Sequence, residues 1–194
     1  MARVLGIVCS PRKGGNTEIL VREALAGVSE VGGETELILV ADKDIAPCDG
    51  CGACLEKGIC KIKDDMQTIY QQLELADGVI FGSPVYFVNV SAQAKAVIDR
   101  TYAFLGARKL RGKVAAALVT ARRVGASQVL SLLYTYFTAQ RMIIAGGGIG
   151  YGSAKGEVRQ GPGGSANLSA LEEARAVGKN VVWMVERFAH GKGS

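Results

Sequence analysis

The residues most suited to chemistry are four cysteines in one short polar segment. They are Cys48, Cys51, Cys54 and Cys60, with the spacing C-x2-C-x2-C-x5-C. Three thiolates at such intervals can wrap a compact iron–sulfur cubane and a fourth can close it, as in the C-x2-C-x2-C-x3-C ligand runs. Intervening glycines allow the backbone to turn tightly between the ligands. The spacing therefore predicts a 4Fe–4S cluster.

Two other chemistries remain open for these thiols. Structural zinc normally takes two separated pairs of ligands rather than three evenly spaced cysteines and one more. Redox-active thiols are the third possibility. The fifth cysteine, Cys9, follows an apolar run, and we expect it to be a small buried residue rather than an extra ligand.

A second polar group is the segment CSPRKGGNT at residues 9–17, between an apolar run and a helical pattern. Backbone N–H groups, hydroxyls from Ser10 and Thr17, and a helix N-terminus can together favour an anion. Arg12 can add a bidentate contact. The segment lacks the Gly-Lys-Ser/Thr and G-x-G-x-x-G signatures of nucleotide loops, which suits the single phosphate of FMN. The alternative is a capping turn that binds nothing.

Two later loops are expected at the same edge as residues 9–17. They are GSPVYFVNV at residues 82–90 and TARRVG at residues 120–125. The backbone of residues 84–87 can offer N–H and C=O groups to a heteroaromatic edge, with Tyr86 or Phe87 beside the ring. The alternative for these two aromatic residues is plain packing.

Short apolar runs that alternate with helical patterns must position these loops. The predicted strands are residues 4–9, 35–40, 78–81, 114–119 and 141–145, and Pro84 is expected to break the chain. Helices are predicted around residues 21–28, 66–75, 94–105, 129–137 and 174–188, capped at Asn16 or Thr17 and at Ser91. Residues 146–164 hold too many glycines for regular structure. Continuous apolar strands between helices indicate an α/β fold: a flavodoxin-like, doubly wound five-stranded parallel sheet of order 2-1-3-4-5.

Length and composition favour one domain over residues 1–194, with a cluster-binding loop at about residues 47–63. Hydrophobic residues make up 48% of the chain, enough for a packed core, and the net charge of +5 is too diffuse to indicate nucleic-acid binding. No segment approaches the length of a membrane span. The first apolar run is too short for a signal peptide. We therefore expect a cytoplasmic protein, in which structural disulfides are rare.

With these motifs in place, the chain resembles the iron–sulfur flavoproteins within the NADPH-dependent FMN reductase group of flavodoxin-like proteins. The matching pieces are SPRKGGNT at residues 10–17, the cysteine run at 48–60, and GSPVYF through VSAQAKAVIDR at 82–100. Two departures are Val88, where the family commonly has Gly, and a loop at 120–125 that is poorer in Gly than usual. The resemblance implies FMN at a subunit boundary, one 4Fe–4S cluster per chain, and a homodimer or a dimer of dimers. The cofactor-binding residues expected from the loops and the resemblance are Ser10, Arg12, Lys13, Gly15, Asn16, Thr17, Pro84, Val85, Tyr86, Phe87, Asn89 and Thr120.

The resulting hypothesis is an FMN and 4Fe–4S electron-transfer protein without a catalytic residue of its own, because the chemistry is centred on the flavin. The resemblance implies ferredoxin as electron donor and oxygen or peroxide as acceptor. One alternative is a cluster-free FMN or quinone reductase that uses NAD(P)H; another is a pure electron carrier or redox sensor. His190 is not expected to be catalytic. The basic groups at residues 108–113 and 122–123 could dock an acidic ferredoxin or be ordinary solvated charges.

Overall fold

The computed structural model describes residues 1–160 and 169–189, so the prediction for His190 lies outside the described residues. The strands are β1 (Arg3–Val8), β2 (Glu34–Leu39), β3 (Gly78–Tyr86), β4 (Asn89–Val90), β5 (Val114–Ala121) and β6 (Ile143–Tyr151). The α-helices are α1 (Asn16–Glu30), α2 (Ala53–Lys57), α3 (Met66–Leu75), α4 (Ala92–Arg100), α5 (Tyr102–Leu105), α6 (Ala126–Ala139) and α7 (Ala170–Ala189). Short 3-10 turns cover Val40–Asp42 and Glu157–Gln160.

Five parallel strands form the central sheet in the order β2-β1-β3-β5-β6. This confirms the predicted flavodoxin-like order, because β4 is only a two-residue strand that pairs antiparallel with the end of β3. The carboxyl ends of the five strands therefore meet at one edge. In sheets of this kind, that edge is where ligands bind.

Both faces of the sheet are covered by helices. Val4 and Val8 of β1 pack in a core with α1 and α7, whereas Leu5 and Ile7 pack in a second core with α3 to α6. This alternation follows from the two-residue period of a strand. Cys9 is fully buried in the second core, as predicted, and burial raises the pKa of its thiol.

Pro84 does not end the third strand, contrary to the sequence prediction. It lies within β3, paired with Thr120 of β5. On the other side, β1 ends opposite Gly82. Pro84 therefore has no β1 residue opposite it, and its lack of an N–H costs no hydrogen bond between these strands. A sheet tolerates proline at such an edge position.

The predicted end of the last strand is also wrong, because β6 continues through glycines that we expected to be irregular. A Cβ on Gly147 would lie 2.5 Å from the carbonyl oxygen of Ala117, and one on Gly150 would lie 2.4 Å from a methyl group of Val158. Only glycine fits this close approach. The extension carries the chain to the ligand-binding edge of the sheet.

The N-terminus of α1 differs by one residue from the prediction. Gly15 is the N-cap, and Asn16 is already helical. The side chains of Asn16 and Thr17 do not cap the helix, because they bond to residues far along the chain. At α4 the prediction is confirmed, since the Ser91 hydroxyl accepts a hydrogen bond from the N–H of Ala94 at 3.1 Å. None of the helices in the described ranges is long and apolar enough to cross a membrane.

Candidate functional site

A cavity of about 260 Å³ opens at the carboxyl ends of β1, β3, β5 and β6; we call it the edge cavity. Its lining contains most of the residues that the sequence indicated for a cofactor. These are Ser10, Arg12, Gly15, Asn16, Thr17, Pro84, Val85, Tyr86 and Thr120. The fold therefore brings together three loops that are separated by more than 30 residues in the sequence.

The first of these loops is held in shape by its own polar groups. The Ser10 hydroxyl accepts from the N–H of Arg12 at 3.1 Å, and the N–H of Gly14 donates to the carboxylate of Glu18 at 2.6 Å. Glu18 is buried and pairs with Arg22 at 2.8 Å. The Gly14 N–H therefore already has a protein acceptor. The groups of this loop that are left to contact a ligand are those of Ser10, Arg12 and Gly15, which line the edge cavity.

Two threonine hydroxyls join the first loop to the end of β5. Thr17 and Thr120 are both buried, and their hydroxyl oxygens lie 2.7 Å apart. A hydroxyl can donate to one partner and still accept from another. This pair therefore fixes the spacing between α1 and β5 at the floor of the edge cavity.

Sequence reasoning missed part of the lining. The additional residues are Ala121, Arg122, Gly152, Ser153, Ala154 and Lys155. Arg122 belongs to a loop that the sequence did place at this edge, but the loop after β6 was missed because the strand was ended at residue 145. A fifth parallel strand must also deliver its carboxyl end to this edge, and that rule could have identified the loop.

Among the described residues, three cationic side chains line the edge cavity, namely Arg12, Arg122 and Lys155. Lys155 reaches back over the first loop, since a Cβ on Gly14 would lie 3.0 Å from its Nζ. Together with the N-terminus of α1, these cations make a site suited to an anionic group such as a phosphate monoester.

Three sequence-predicted residues do not line the edge cavity. Lys13 points to Asp42, with which it forms an ion pair. Phe87 is fully exposed at the tip of the β3–β4 turn, and the Asn89 side chain accepts from the N–H of Val90 at 2.8 Å. These three residues therefore lie outside the lining of the edge cavity.

The β3–β4 turn has a strained backbone. Phe87 and Val88 both have positive φ values, of 46° and 66°, and this conformation is unusual for a bulky or β-branched residue. Gly125 lies against the turn with φ of 91°, and a Cβ there would lie 3.0 Å from the Cα of Val88. An exposed aromatic residue on a strained turn thus directly follows Tyr86, which lines the edge cavity.

The four cysteines of the run line a second cavity of about 190 Å³, which we call the cysteine cavity. Cys48 and Cys51 are exposed, and Cys54 and Cys60 are half-buried. The turns between them use positive φ values at Gly50, Gly52 and Gly58, of 68°, 72° and 62°. The predicted ligands therefore all line one cavity.

The electrostatics of the cysteine cavity favour a positive ligand. Burial raises the pKa of Cys54, and the charges of the other three thiolates raise it further. A bound metal centre reverses that penalty. Within residues 1–160 and 169–189, however, no group of three or more His, Cys, Asp or Glu side chains is arranged to hold a metal ion. The thiols share a cavity without converging on one point.

A buried ion pair anchors both ends of the cysteine segment. Arg100, at the end of α4, is 1% exposed and donates to the Asp64 carboxylate at 2.6 and 2.9 Å. The same guanidinium donates to the carbonyl oxygens of Ala46 and Ile62 at 2.8 and 3.3 Å. Residues on either side of the cysteines are thus tied to a single side chain.

Comparison with known proteins agrees with this geometry. The NADPH-dependent FMN reductase family matches residues 2–155. An iron–sulfur flavoprotein of Methanocaldococcus jannaschii is 41% identical over 194 residues, which cover 95% of this chain and 97% of that protein. One from Methanosarcina thermophila is 38% identical over 149 residues, covering 74% of this chain and 77% of the other.

Among solved structures, RosB with bound 8-demethyl-8-formylriboflavin-5'-phosphate is similar in fold. The TM-score is 0.78 at 16% identity, covering 98% of this chain and 81% of that one. The chain is thus an FMN-dependent oxidoreductase of the NADPH-dependent FMN reductase family, and it belongs to the iron–sulfur flavoproteins of that family.

Proposed function

We propose that this protein transfers electrons by means of FMN in the edge cavity and a 4Fe–4S cluster in the cysteine cavity. The donor is a one-electron carrier such as ferredoxin, and the acceptor is a small oxidant such as oxygen or peroxide. The observation that carries the proposal is the arrangement of Cys48, Cys51, Cys54 and Cys60 around one cavity.

The residues of the edge cavity fit FMN. Arg12, Arg122 and Lys155 supply positive charge, and Ser10 and Thr17 supply hydroxyl groups beside the N-terminus of α1. These groups would hold the phosphate. Pro84, Val85 and Tyr86 lie at the end of β3 and would line the flavin ring.

The donor set of the cysteine cavity fits an iron–sulfur cluster better than a single ion. A zinc ion with Zn–S distances of about 2.3 Å requires four sulfurs that converge on one point. A cubane is bound by four thiolates on four separate iron atoms, which surround a volume. Thiols that share a cavity without converging, as here, match the second requirement.

When bound, FMN exchanges one or two electrons and the cluster exchanges one, so together they connect one-electron and two-electron partners. The protein's contribution is positioning. The Thr17–Thr120 pair and the loops of the edge cavity hold one group, and the segment anchored by Arg100 holds the other. The first loop adds the cation Arg12, which would orient the phosphate end of the flavin.

Assembly as a homodimer or a dimer of dimers belongs to the same proposal. Phe87 and Val88 form an exposed apolar tip that directly follows Tyr86 of the edge cavity, and their positive φ values are costly. A second copy of the chain that covers this tip would bury its apolar surface and close the cavity against water. This arrangement would place FMN at a subunit boundary.

The basic residues before β5 support docking of an acidic donor next to the cysteines. Lys109 lines a small cavity together with Gly58, Ile59 and Cys60. Arg108 and Arg111 are exposed beside it in the sequence. An acidic protein that approached these cations would meet the cysteine cavity before the edge cavity, which suits one-electron delivery to a cluster.

The test is the content of iron, acid-labile sulfide and FMN in anaerobically purified protein. About four iron, four sulfide and one FMN per chain are expected. Cys51→Ala should lose the intact cluster and keep FMN, whereas Cys9→Ala should keep all three, because Cys9 lies in the hydrophobic core away from the cavity. Full iron in the Cys51 variant would contradict the ligand assignment.

The family description supports one rival, an NAD(P)H-dependent FMN or quinone reductase without a cluster. This rival predicts FMN without iron and rapid flavin reduction by NADPH. Zinc in place of iron would assign the cysteine segment a structural role. Reduction by ferredoxin but not by NADPH, in protein with its full iron content, would decide against both rivals.

A further inference from the structure

The guanidinium of Arg100 has one donor that the protein does not use. An arginine side chain carries five N–H donors. Four are directed at Asp64, Ala46 and Ile62, through Nη1 and Nη2. The fifth, on Nε, is buried and has no hydrogen-bond partner; it is the one such side-chain nitrogen or oxygen in the part of the chain that the structure describes.

Arg100 also lines the cysteine cavity. Two carboxylates share that lining, but Asp49 is paired with Lys61 at 2.9 Å and Asp99 with Lys95 at 2.6 Å. The other negatively charged acceptors in this lining are the cysteine sulfurs, which are thiolates when they bind a metal centre. A residue with a buried, unused donor therefore lines the same cavity as a set of acceptors that becomes charged on cluster binding.

Neighbouring groups fix the position of Arg100. The Tyr70 hydroxyl donates to the Arg100 carbonyl oxygen at 2.6 Å, which holds the end of α4 in place. Arg100 is thus a fixed residue in the lining that it shares with Cys60.

We propose that the Nε–H of Arg100 donates a hydrogen bond to a sulfur of the cysteine cavity when the cluster is bound, and that this bond raises the cluster's reduction potential. The inference rests on the proposed cluster. Hydrogen bonds to cluster sulfurs set reduction potentials, because a donor stabilises the more negative, reduced state. The charge of Arg100 is already balanced by Asp64, so the contribution at stake is the hydrogen bond itself.

The first experiment replaces Arg100 by Lys and measures the midpoint potential of the cluster by redox titration with EPR detection. Arg100→Lys keeps the positive charge next to Asp64 and removes Nε–H. The reduction equilibrium should become about tenfold less favourable, which is about 59 mV for a one-electron couple. Arg175→Lys, the same exchange in an ion pair of α7 with Glu23 and Glu30 away from the cysteine cavity, should leave the potential unchanged.

The second experiment needs no variant and therefore does not depend on the folding of Arg100→Lys. Wild-type protein is labelled with ¹⁵N-arginine, and the reduced cluster is examined by pulsed EPR. A nitrogen coupling that changes with the label is expected, since Arg100 is the arginine that lines the cysteine cavity in the described part of the chain.

The outcomes separate the two proposals. An intact cluster with no arginine coupling, or an Arg100→Lys variant with full iron and an unchanged potential, would overturn the role of Arg100 and leave the cluster standing. Wild-type protein without iron and sulfide would overturn the cluster, and this inference with it. If Nε donated to a water molecule instead of a sulfur, the cluster would be intact and show no arginine coupling, which is the outcome that overturns the role of Arg100.

Discussion

The side chain of Asn16 and the loop at Ala154 are joined by a hydrogen bond of 3.0 Å from the Asn16 amide to the Ala154 carbonyl oxygen. The same side chain accepts from the N–H of Gly156 at 2.7 Å. One residue at the start of α1 thereby holds the loop that follows β6, and with it Lys155 at the edge cavity.

Replacing Asn16 by Ala should weaken FMN binding roughly tenfold, because two hydrogen bonds of about 0.5–1.5 kcal/mol each are lost and the loop loosens. Flavin titration of the apoprotein measures this. Asn180→Ala is the matched control, since its amide donates to Ala145 at 2.5 Å, away from the cavity. Equal affinities in wild type and Asn16→Ala would show that the loop does not contact the cofactor.

Arg12 and Lys13 are adjacent cations with different positions, and their replacement should separate phosphate binding from general charge. Arg12 lines the edge cavity, whereas Lys13 pairs with Asp42. Arg12→Ala should weaken FMN binding roughly 10- to 100-fold, the range for a charged hydrogen bond, and Lys13→Ala should have little effect.

Riboflavin lacks the phosphate and serves as the internal control for both variants. Its affinity should be the same in wild type and in Arg12→Ala. If Arg12→Ala weakened riboflavin and FMN equally, Arg12 would contact the ring or merely support the loop.

Charge reversal next to the cysteine cavity should slow electron delivery by an acidic donor. The double variant Arg108→Glu and Arg111→Glu is expected to slow ferredoxin oxidation at low salt and to differ less from wild type at high salt, because salt screens steering. Stopped-flow rates at two ionic strengths provide the measurement. The matched control reverses Arg22 on α1 and Lys179 on α7, which are not part of the lining around Arg111 and belong to helices on the opposite face of the sheet. An unchanged rate at low salt would place the donor elsewhere.

Asp64→Ala should reduce the free energy of unfolding by about 3–5 kcal/mol, because it leaves the buried Arg100 charge without its partner. Denaturant unfolding measures this. Asp99→Ala, which breaks the exposed pair with Lys95, should cost no more than about 1 kcal/mol. Similar values for the two variants would mean that the Arg100 site relaxes or admits water.

The same ion pair predicts a pH dependence. Burial tends to raise the pKa of Asp64, but hydrogen bonds from Arg100, Ala46 and Met66 hold it below its ordinary value. The Asp64 carboxylate therefore binds a proton more readily in the unfolded chain than in the folded one. The stabilisation by the Asp64–Arg100 pair is complete above the ordinary pKa of an aspartate and is lost as the pH falls through the lowered pKa of the folded state. The difference between wild type and Asp64→Ala should shrink in acid.

The crossing of α1 and α7 should not tolerate a methyl group at Gly178. A Cβ there would lie 1.9 Å from the carbonyl oxygen of Ala24. Gly178→Ala should lower the free energy of unfolding by about 2 kcal/mol or more, since the helices must move apart. Thermal unfolding measures this, and Gly106→Ala is the control. Gly106 has right-handed helical backbone angles and open space where a methyl group would lie, so that this replacement should be neutral or mildly stabilising. A neutral Gly178 variant would show that the crossing is loose.

The sequence by itself determined the features that depend on local spacing. The intervals from Cys48 to Cys60 are set along the chain, and the apolar runs must pair as parallel strands because the segments between them are helical. The order of those strands then placed Ser10, Pro84 and Thr120 at one edge, where the structure has them.

Only the tertiary structure decided which residues face each cavity. The glycines of β6 indicate flexibility when considered locally, yet packing against Ala117 and Val158 makes them a strand that delivers Lys155 to the edge cavity. Arg12 and Lys13 are adjacent cations that the sequence does not distinguish. In the structure Lys13 pairs with Asp42, which lies 29 residues further along the chain, and Arg12 lines the edge cavity. The unused donor of Arg100 depends on which carbonyl groups surround it, because hydrogen-bond satisfaction is a property of neighbours in space.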